Sequence, residues 1–211
     1  HSPILDEIEL TLSNQPRRES EIRIRGDSVR INQFFESDLW AINSVFAKDL
    51  VNADLVYGVD YSHETIASGR TDFDPISENT ERRIQGPVGD DSKYEQIGVF
   101  SNLNLPITAD WEIDLGGRYS YVRADIGRFE DPVSNEARAF RDKWDNISFS
   151  ARVSFAHSEN SRAWGSIGQA FRAPNIADLS RFGRSRSDEF EVAALNLEPE
   201  TFLNYEIGYR W

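Results

Sequence analysis

Hydrophobic and polar residues alternate one by one along much of this chain, in separate blocks. From Trp111 to Val122, one parity carries Trp111, Ile113, Leu115, Tyr119 and Tyr121, and the other Glu112, Asp114, Arg118 and Ser120. Four more blocks repeat the pattern: Leu55, Tyr57, Val59 and Tyr61; Ile97, Val99, Leu103 and Leu105; Ile147, Phe149, Val153 and Phe155; Leu203, Tyr205, Ile207, Tyr209 and Trp211. The apolar parity of the five blocks contains no charged residue. The other contains Asp54, Asp60, Glu112, Asp114, Arg118, Arg152, Glu206 and Arg210. A helix repeats every 3.6 residues and cannot produce this pattern, whereas a strand with two unlike faces does. Three less regular segments, Ile8–Leu12, Phe35–Ala47 and Ala163–Phe171, bring the expected number of strands to about eight. Glu21–Arg25 reads equally as a separate strand or as an extension of its neighbour.

The connections add a second periodicity. Segments 48–53, 106–110 and 157–162 are short, whereas 69–93, 126–143 and 173–200 are long and polar. Bacterial transmembrane barrels have short turns on the periplasmic side and long loops outside, while compact soluble domains seldom carry several long unstructured loops. Six of the seven tyrosines, Tyr57, Tyr61, Tyr119, Tyr121, Tyr205 and Tyr209, lie on the apolar parity. A dry core would need a buried partner for each hydroxyl, whereas a membrane interface supplies water and headgroups. Trp111, Trp164 and Trp211 fall at one level of the strands and Trp40 and Trp144 near the other, which reads as two interfacial girdles. The expected fold is therefore all-β, an antiparallel up-and-down transmembrane β-barrel segment. The competing reading is a soluble β-sandwich that binds a ligand such as carbohydrate.

Composition narrows this further. Mean hydropathy is −0.55. No run of 18 apolar residues exists, so no transmembrane helix is expected, but alternating strands average to a polar score and escape that test. A net charge of −13 excludes a nucleic-acid partner, which would need a basic field. There is no cysteine, hence no disulfide framework or thiolate metal site. The chain starts at His1-Ser2-Pro3 and contains no Met, so it is expected to be an internal piece of a longer polypeptide.

Two segments carry more specific information. Phe171-Arg172-Ala173-Pro174 closes one strand, and Leu197-Glu198-Pro199-Glu200-Thr201 opens the last. Both prolines stop ladder pairing. The pair resembles the FRAP-type and NPNL-KPE-type segments of TonB-dependent outer-membrane receptors, which flank one extracellular loop. Asp54–Ser62 resembles a strand of the haem and haemoglobin subgroup, and Leu115–Tyr119 a strand widespread in the family. The resemblance runs from Ala53 to the end. It implies a partial barrel domain over residues 1–211, eight strands of a 22-stranded barrel, with the plug domain and TonB box outside this chain. It also implies energised import through TonB of a scarce nutrient such as a ferric siderophore or haem, in a multi-pass protein of the outer membrane. The chain departs from the haem receptors in two respects. Residues 175–195 hold no histidine, and Leu195-Asn196-Leu197 lacks the proline of NPNL.

On chemistry the sequence is sparse. Asp90-Asp91, Glu130-Asp131, Asp188-Glu189 and Glu191 read as solvated loop charge, and nothing pins two carboxyls at the fixed separation a glycosidase needs. There is no GxGxxG, Walker or GxSxG sequence and no EF-hand spacing. His63 shares the parity of Tyr61 and reads as a surface residue. No catalytic residue, metal ligand or cofactor is assigned, and an outer-membrane phospholipase is disfavoured for want of a Ser-His constellation. The ligand-binding candidates are Arg172, Arg181, Arg184 and Arg186, because guanidiniums gathered in a loop suit an anionic ligand. Pairing with Asp188, Glu189 and Glu191, or with lipopolysaccharide phosphates, is the equally simple alternative. Outer-membrane lipid is the other expected partner.

Overall fold

A computed structural model describes residues 4–186 and 189–211, with the backbone alone for 184–186. In chain order the elements are β1 (Glu7–Ile24), β2 (Arg30–Leu50), β3 (Ala53–Asp74), β4 (Asn79–Arg82), β5 (Asp90–Pro106), β6 (Trp111–Glu130), β7 (Ala137–Ser158), β8 (Ser161–Arg172), α1 (Ile176–Ser180), β9 (Gly183–Arg186), β10 (Glu189–Glu191) and β11 (Glu200–Arg210). The main sheet has the order β1-β2-β3-β5-β6-β7-β8-β11, every pair antiparallel, with β4 folding back on the end of β3. The sheet is an up-and-down transmembrane barrel segment. Besides it, the described residues form only the two-stranded β9–β10 sheet, too small to be the second layer of a sandwich.

The register assigns one parity to each face. Tyr57 lies opposite Ser101, Val59 opposite Val99, Tyr61 opposite Ile97, and Ile97 opposite Tyr121. Tyr119 then faces Ile147, and Ile167 faces Tyr205. All five alternating blocks thus place their apolar residues on one outer face. From Trp111 to Tyr121 the apolar stretch of β6 is eleven residues long, close to the roughly 9–11 tilted residues that cross a bilayer.

The strands continue well past that stretch, and there the two faces exchange character. On the outer face, the row above Tyr61, Ile97 and Tyr121 is His63, Glu95, Arg123 and Lys143; the next is Thr65, Lys93, Asp125 and Arg141. On the inner face the charges of the span, such as the Asp60–Arg118 pair at 2.7 and 2.9 Å, give way to Ile66, Tyr94, Val122, Ala124 and Ile126, all buried. A bulge between Ile126 and Phe129 adds one residue to β6, and Phe129 turns into the same core.

This exchange corrects the expected loop lengths. Most of 69–93 and 126–143 is strand, because the outward apolar parity that marks the span ends where the lipid ends. The turn 75–78 and connections 83–89 and 131–136 are what remain. Glu21–Arg25 belongs largely to β1, which runs 18 residues instead of five and ends in a tight turn, with the Arg25 N–H donating to Val29 O at 2.9 Å. Pro16 is tolerated there because β1 has no strand on its other side among the described residues.

The girdles also need revision. Trp40, Trp111 and Trp211 are exposed on the outer face. Trp164 lies on the inner one: it pairs in register with Ser154 and Gly208, its Nε1 donates to Glu206 at 3.1 Å, and Arg152 sits over its ring. Gly208 leaves room for the indole, since a Cβ there would collide with it. Trp144 pairs with Val122 and packs on the buried inner core.

Candidate ligand-capture site

β8 is twelve residues long and β7 twenty-two, so past Gly168 the chain leaves β7 unpaired and turns inward. Pro174 cannot continue the ladder. Asn175 then caps α1 by a reciprocal capping box: the Asp178 N–H donates to Asn175 Oδ1 at 2.8 Å, and the Asn175 N–H to Asp178 Oδ2 at 3.1 Å. Asp178 also accepts from Arg172 at 2.6 Å, and Arg172 reaches Glu200 at 3.2 Å. One cluster therefore joins the end of β8, the cap of α1 and the start of β11, which is to say both sequence motifs.

The helix has a single turn, too short to stand alone, and tertiary packing holds it. Ala173, Ile176 and Leu179 lie against Tyr94, Val122, Ala124, Ile126 and Phe129 on the inner face of β5 and β6. Gln85, buried in the connection before β5, stitches the far side: its amide donates to Ser180 O at 2.7 Å, and its carbonyl accepts from the Glu130 N–H at 2.7 Å. Ser180 Oγ accepts from the Gly89 N–H at 2.8 Å and donates to Ile176 O at 2.6 Å. The Ala194 N–H donates to Leu179 O. Residues 173–182, with Ala194, thus pack over the inner face as a shelf. Burial, reinforced by the charge of Asp178, pushes the Tyr94 hydroxyl up to about 12, so it stays protonated under this shelf.

Three cavities surround the shelf. One of about 500 Å³ is lined by Arg172, Asp178, Arg181, Glu191, Glu198 and Glu200. A second, about 330 Å³, lies between the shelf and the sheet and is lined by Tyr94, Gln96, Arg118, Ser120 and Phe171. A third, about 610 Å³ near the outer ends of β3 and β6, has Arg70, Asp72, Arg83 and Glu130 beside the edge-to-face rings of Phe182 and Phe190.

Of the four candidate arginines, the structure brings Arg172 and Arg181 to one cavity. Both are engaged there, Arg172 with two carboxylates and Arg181 with Glu191 at 3.5 Å. Four carboxylates accompany these two guanidiniums in the lining. Arg184 and Arg186 are on β9, paired with β10; their side chains lie outside the described residues, as does Asp188. Sequence reasoning missed Asp178, although Asn175-x-x-Asp178 is a legible capping spacing. It also missed Gln85, for which no signal exists: its role depends on a contact 95 residues away.

A family model described as TonB dependent receptor-like, beta-barrel matches residues 10–211. The chain belongs to this TonB-dependent receptor barrel family. The match starts well before Ala53 and takes in β1 and β2. Among solved structures, the barrel resembles a copper transporter, OprC (TM-score 0.79, 15% identity, 99% of this chain and 34% of that one). It also resembles the siderophore receptor PiuA from Acinetobacter baumannii (0.65, 16%, 98% and 35%) and the hemophore receptor HasR of Serratia marcescens in complex with its hemophore HasA and heme (0.59, 14%, 96% and 36%). At these identities the likeness concerns the fold. The chain spans about a third of the length of each structure. No curated protein sequence matches it. In a TonB-dependent receptor barrel the inner face is the lumen, so the shelf of residues 173–182 projects into the lumen at one end of the membrane-spanning band.

Proposed function

We propose that this barrel segment is part of an outer-membrane receptor that imports a scarce nutrient, with energy delivered through TonB to a plug domain outside these residues. The ligand is proposed to be a ferric siderophore or haem-type molecule, and the role is transport, not catalysis. One observation carries the reading: residues 173–182, which follow the first motif, pack inward as a shelf over the lumen, at the end of the barrel where the strands rise beyond the lipid. A shelf in that position narrows the path of anything entering from outside. Short turns such as Val51-Asn52 and Glu159-Asn160 then face the periplasm, and connections 75–78, 131–136 and 173–199 face the medium. The neighbours named above include a copper transporter, a siderophore receptor and a hemophore receptor, so family membership leaves the ligand open.

Within this reading Arg172 and Arg181 contribute by holding the shelf through their carboxylate partners, and Arg184 and Arg186 of the β9–β10 hairpin are the proposed contacts to an anionic ligand. Deleting residues 180–192 from the complete receptor tests it. Ligand-dependent growth and ligand binding should be lost while heat-modifiable barrel still assembles in the outer membrane. Unchanged uptake with an assembled barrel would remove the loop from the transport path. Cysteine labelling of intact cells should succeed at Ser134 and fail at Asn160; the reverse would invert the orientation.

A further inference from the structure

We infer that the lumen holds a second ligand subsite, beneath the shelf, which receives an uncharged aromatic acyl group of the imported molecule and binds its carbonyl oxygen through the Tyr94 hydroxyl. The inference rests on the transport reading above and adds an inner stage to it. The subsite is the cavity of about 330 Å³ between the shelf and the sheet, within the range of about 300–1,000 Å³ usual for small-molecule sites. Tyr94 lines this cavity and is 8% exposed, and its hydroxyl makes no hydrogen bond among the described residues. A buried hydroxyl without a partner is costly. This one is not sealed off within the core, so a group entering the cavity can pair with it. Phe171 and Val122 supply an apolar wall beside it.

The wall selects the chemistry. Arg172 and Asn175 line both this cavity and the one of about 500 Å³, so a molecule held in the larger one can extend a side group past them into the smaller. Four carboxylates line the larger cavity, whereas none lines the smaller among the described residues. Donors gather there instead. The Tyr94 hydroxyl is protonated at neutral pH. Asn175 has its amide oxygen occupied by the Asp178 N–H at 2.8 Å, which leaves its own amide N–H groups to donate. Arg172 has N–H groups beyond those that hold Asp178 and Glu200. Such a set calls for an oxygen acceptor, and the charges behind it favour an uncharged one. Arg118 and Arg172 are outnumbered by their partners Asp60, Asp178 and Glu200, and Glu64 lies opposite Tyr94 in the sheet. A carboxylate would meet that negative excess, whereas an amide or acyl carbonyl would not. An aromatic ring on the carbonyl suits the wall of Phe171 and Val122.

The experiment uses the complete receptor in mild detergent, with 4-fluorobenzamide and 4-fluorobenzoate as probes and fluorine NMR titration as readout. The amide should bind about fivefold more tightly than the carboxylate. Tyr94→Phe keeps the ring that packs under the shelf and removes only the hydroxyl. It should weaken amide binding roughly three- to tenfold, with amide exchange in residues 176–180 unchanged. Ser120→Leu narrows the same cavity from the sheet side and should weaken binding at least as much; if exchange speeds up in the first variant, the second decides. Equal or tighter binding of the carboxylate overturns the assignment to an uncharged group. Variants that bind the amide as before overturn the subsite, as does a receptor that binds neither probe, its cavity then filled by water or by the plug. A receptor that binds the amide through Tyr94 yet supports no TonB-dependent uptake upholds the subsite and overturns only the transport reading.

Discussion

The lower and upper halves of the same strands obey opposite rules. Between Trp111 and Tyr121 the outer side chains of β6 are apolar and the inner ones include Asp114 and Arg118. Between Val122 and Ile126 the outer ones are Arg123 and Asp125, and the inner ones are buried and apolar. Backbone pairing runs through the boundary without interruption. Only the surroundings change. Below, lipid lies outside and the lumen inside, so the outside must be apolar. Above, water lies outside and the shelf of residues 173–182 lies inside, so the inside must be apolar. The inversion therefore marks the membrane surface to within about one residue pair, and it shows that the shelf is a packed structural part of the barrel.

The largest effect that could break this comparison is loss of the upper core. Phe129, Ile126 and Leu179 are 0% exposed. Phe129→Ala should cost about 3–5 kcal/mol of local stability, read as faster amide exchange in residues 176–180 and 194. The control is Ser150→Ala on the inner face of the span, where no such core exists and the change should stay within about 0.5 kcal/mol. Equal costs at the two positions would mean that the inner face does not change character.

The outer face gives the next effect. Leu115→Arg, near the middle of the lipid-facing band, should cost about 2–4 kcal/mol in bilayer refolding titrations. Thr65→Arg has the same parity but lies above the boundary, between Asp38 and Lys93, and should change stability by less than about 0.5 kcal/mol. A penalty at Thr65 matching that at Leu115 would move the membrane surface upward, past the row of His63, Glu95, Arg123 and Lys143.

These contrasts also explain what the sequence could reveal. Five strands were legible because lipid imposes one unbroken apolar parity from Leu55 to Tyr61, Trp111 to Tyr121 and Ile147 to Phe155. The upper halves were not, because no single parity stays apolar through the boundary: Tyr121 and Val122 are apolar neighbours on opposite faces, and a two-residue periodicity slips there. Trp164 was misplaced because β8 has small residues on both parities, Gly165, Ser166 and Gly168, so only pairing with β7 and β11 fixes its face. At the site, Arg172 was visible as the end of a motif. Its carboxylate partners Asp178 and Glu200 lie 6 and 28 positions away, and the second contact forms only because β8 pairs with β11. Gln85 had no local signature.

Removing Gln85 would sharpen the comparison by loosening the shelf without touching the lipid face. Gln85→Ala leaves the Ser180 carbonyl and the Glu130 N–H buried without their partner. The expected cost is about 1–3 kcal/mol, seen as accelerated exchange at Glu130 and in α1, with refolding into bilayers unchanged. Exchange that speeds equally in the span and the shelf would show the two halves unfolding as one unit.

The smallest effect concerns the tip of the β6–β7 hairpin, beyond the apolar outer band. Asp131 accepts from the N–H groups of Ser134 at 2.9 Å and Val133 at 3.0 Å, and Arg138 approaches at 3.0 Å. The Ser134 N–H first, then that of Val133, holds the carboxyl below its ordinary value of 3.8. A carboxylate whose folded pKa is depressed contributes stability that is complete above its ordinary pKa and is lost as pH falls through the lower, folded value. The turn should therefore be unchanged at neutral pH and through mild acid, and should loosen only below about pH 4. Amide exchange at Ser134, corrected for its intrinsic pH dependence, is the measurement. Asp131→Asn retains an oxygen acceptor, removes the charge and should abolish the acid step while leaving the span unaffected. An acid step that survives this substitution would place the responsible carboxylate elsewhere in the upper half of the strands. An acid step that also weakens the membrane-spanning strands would break the separation of the two halves at its most exposed point.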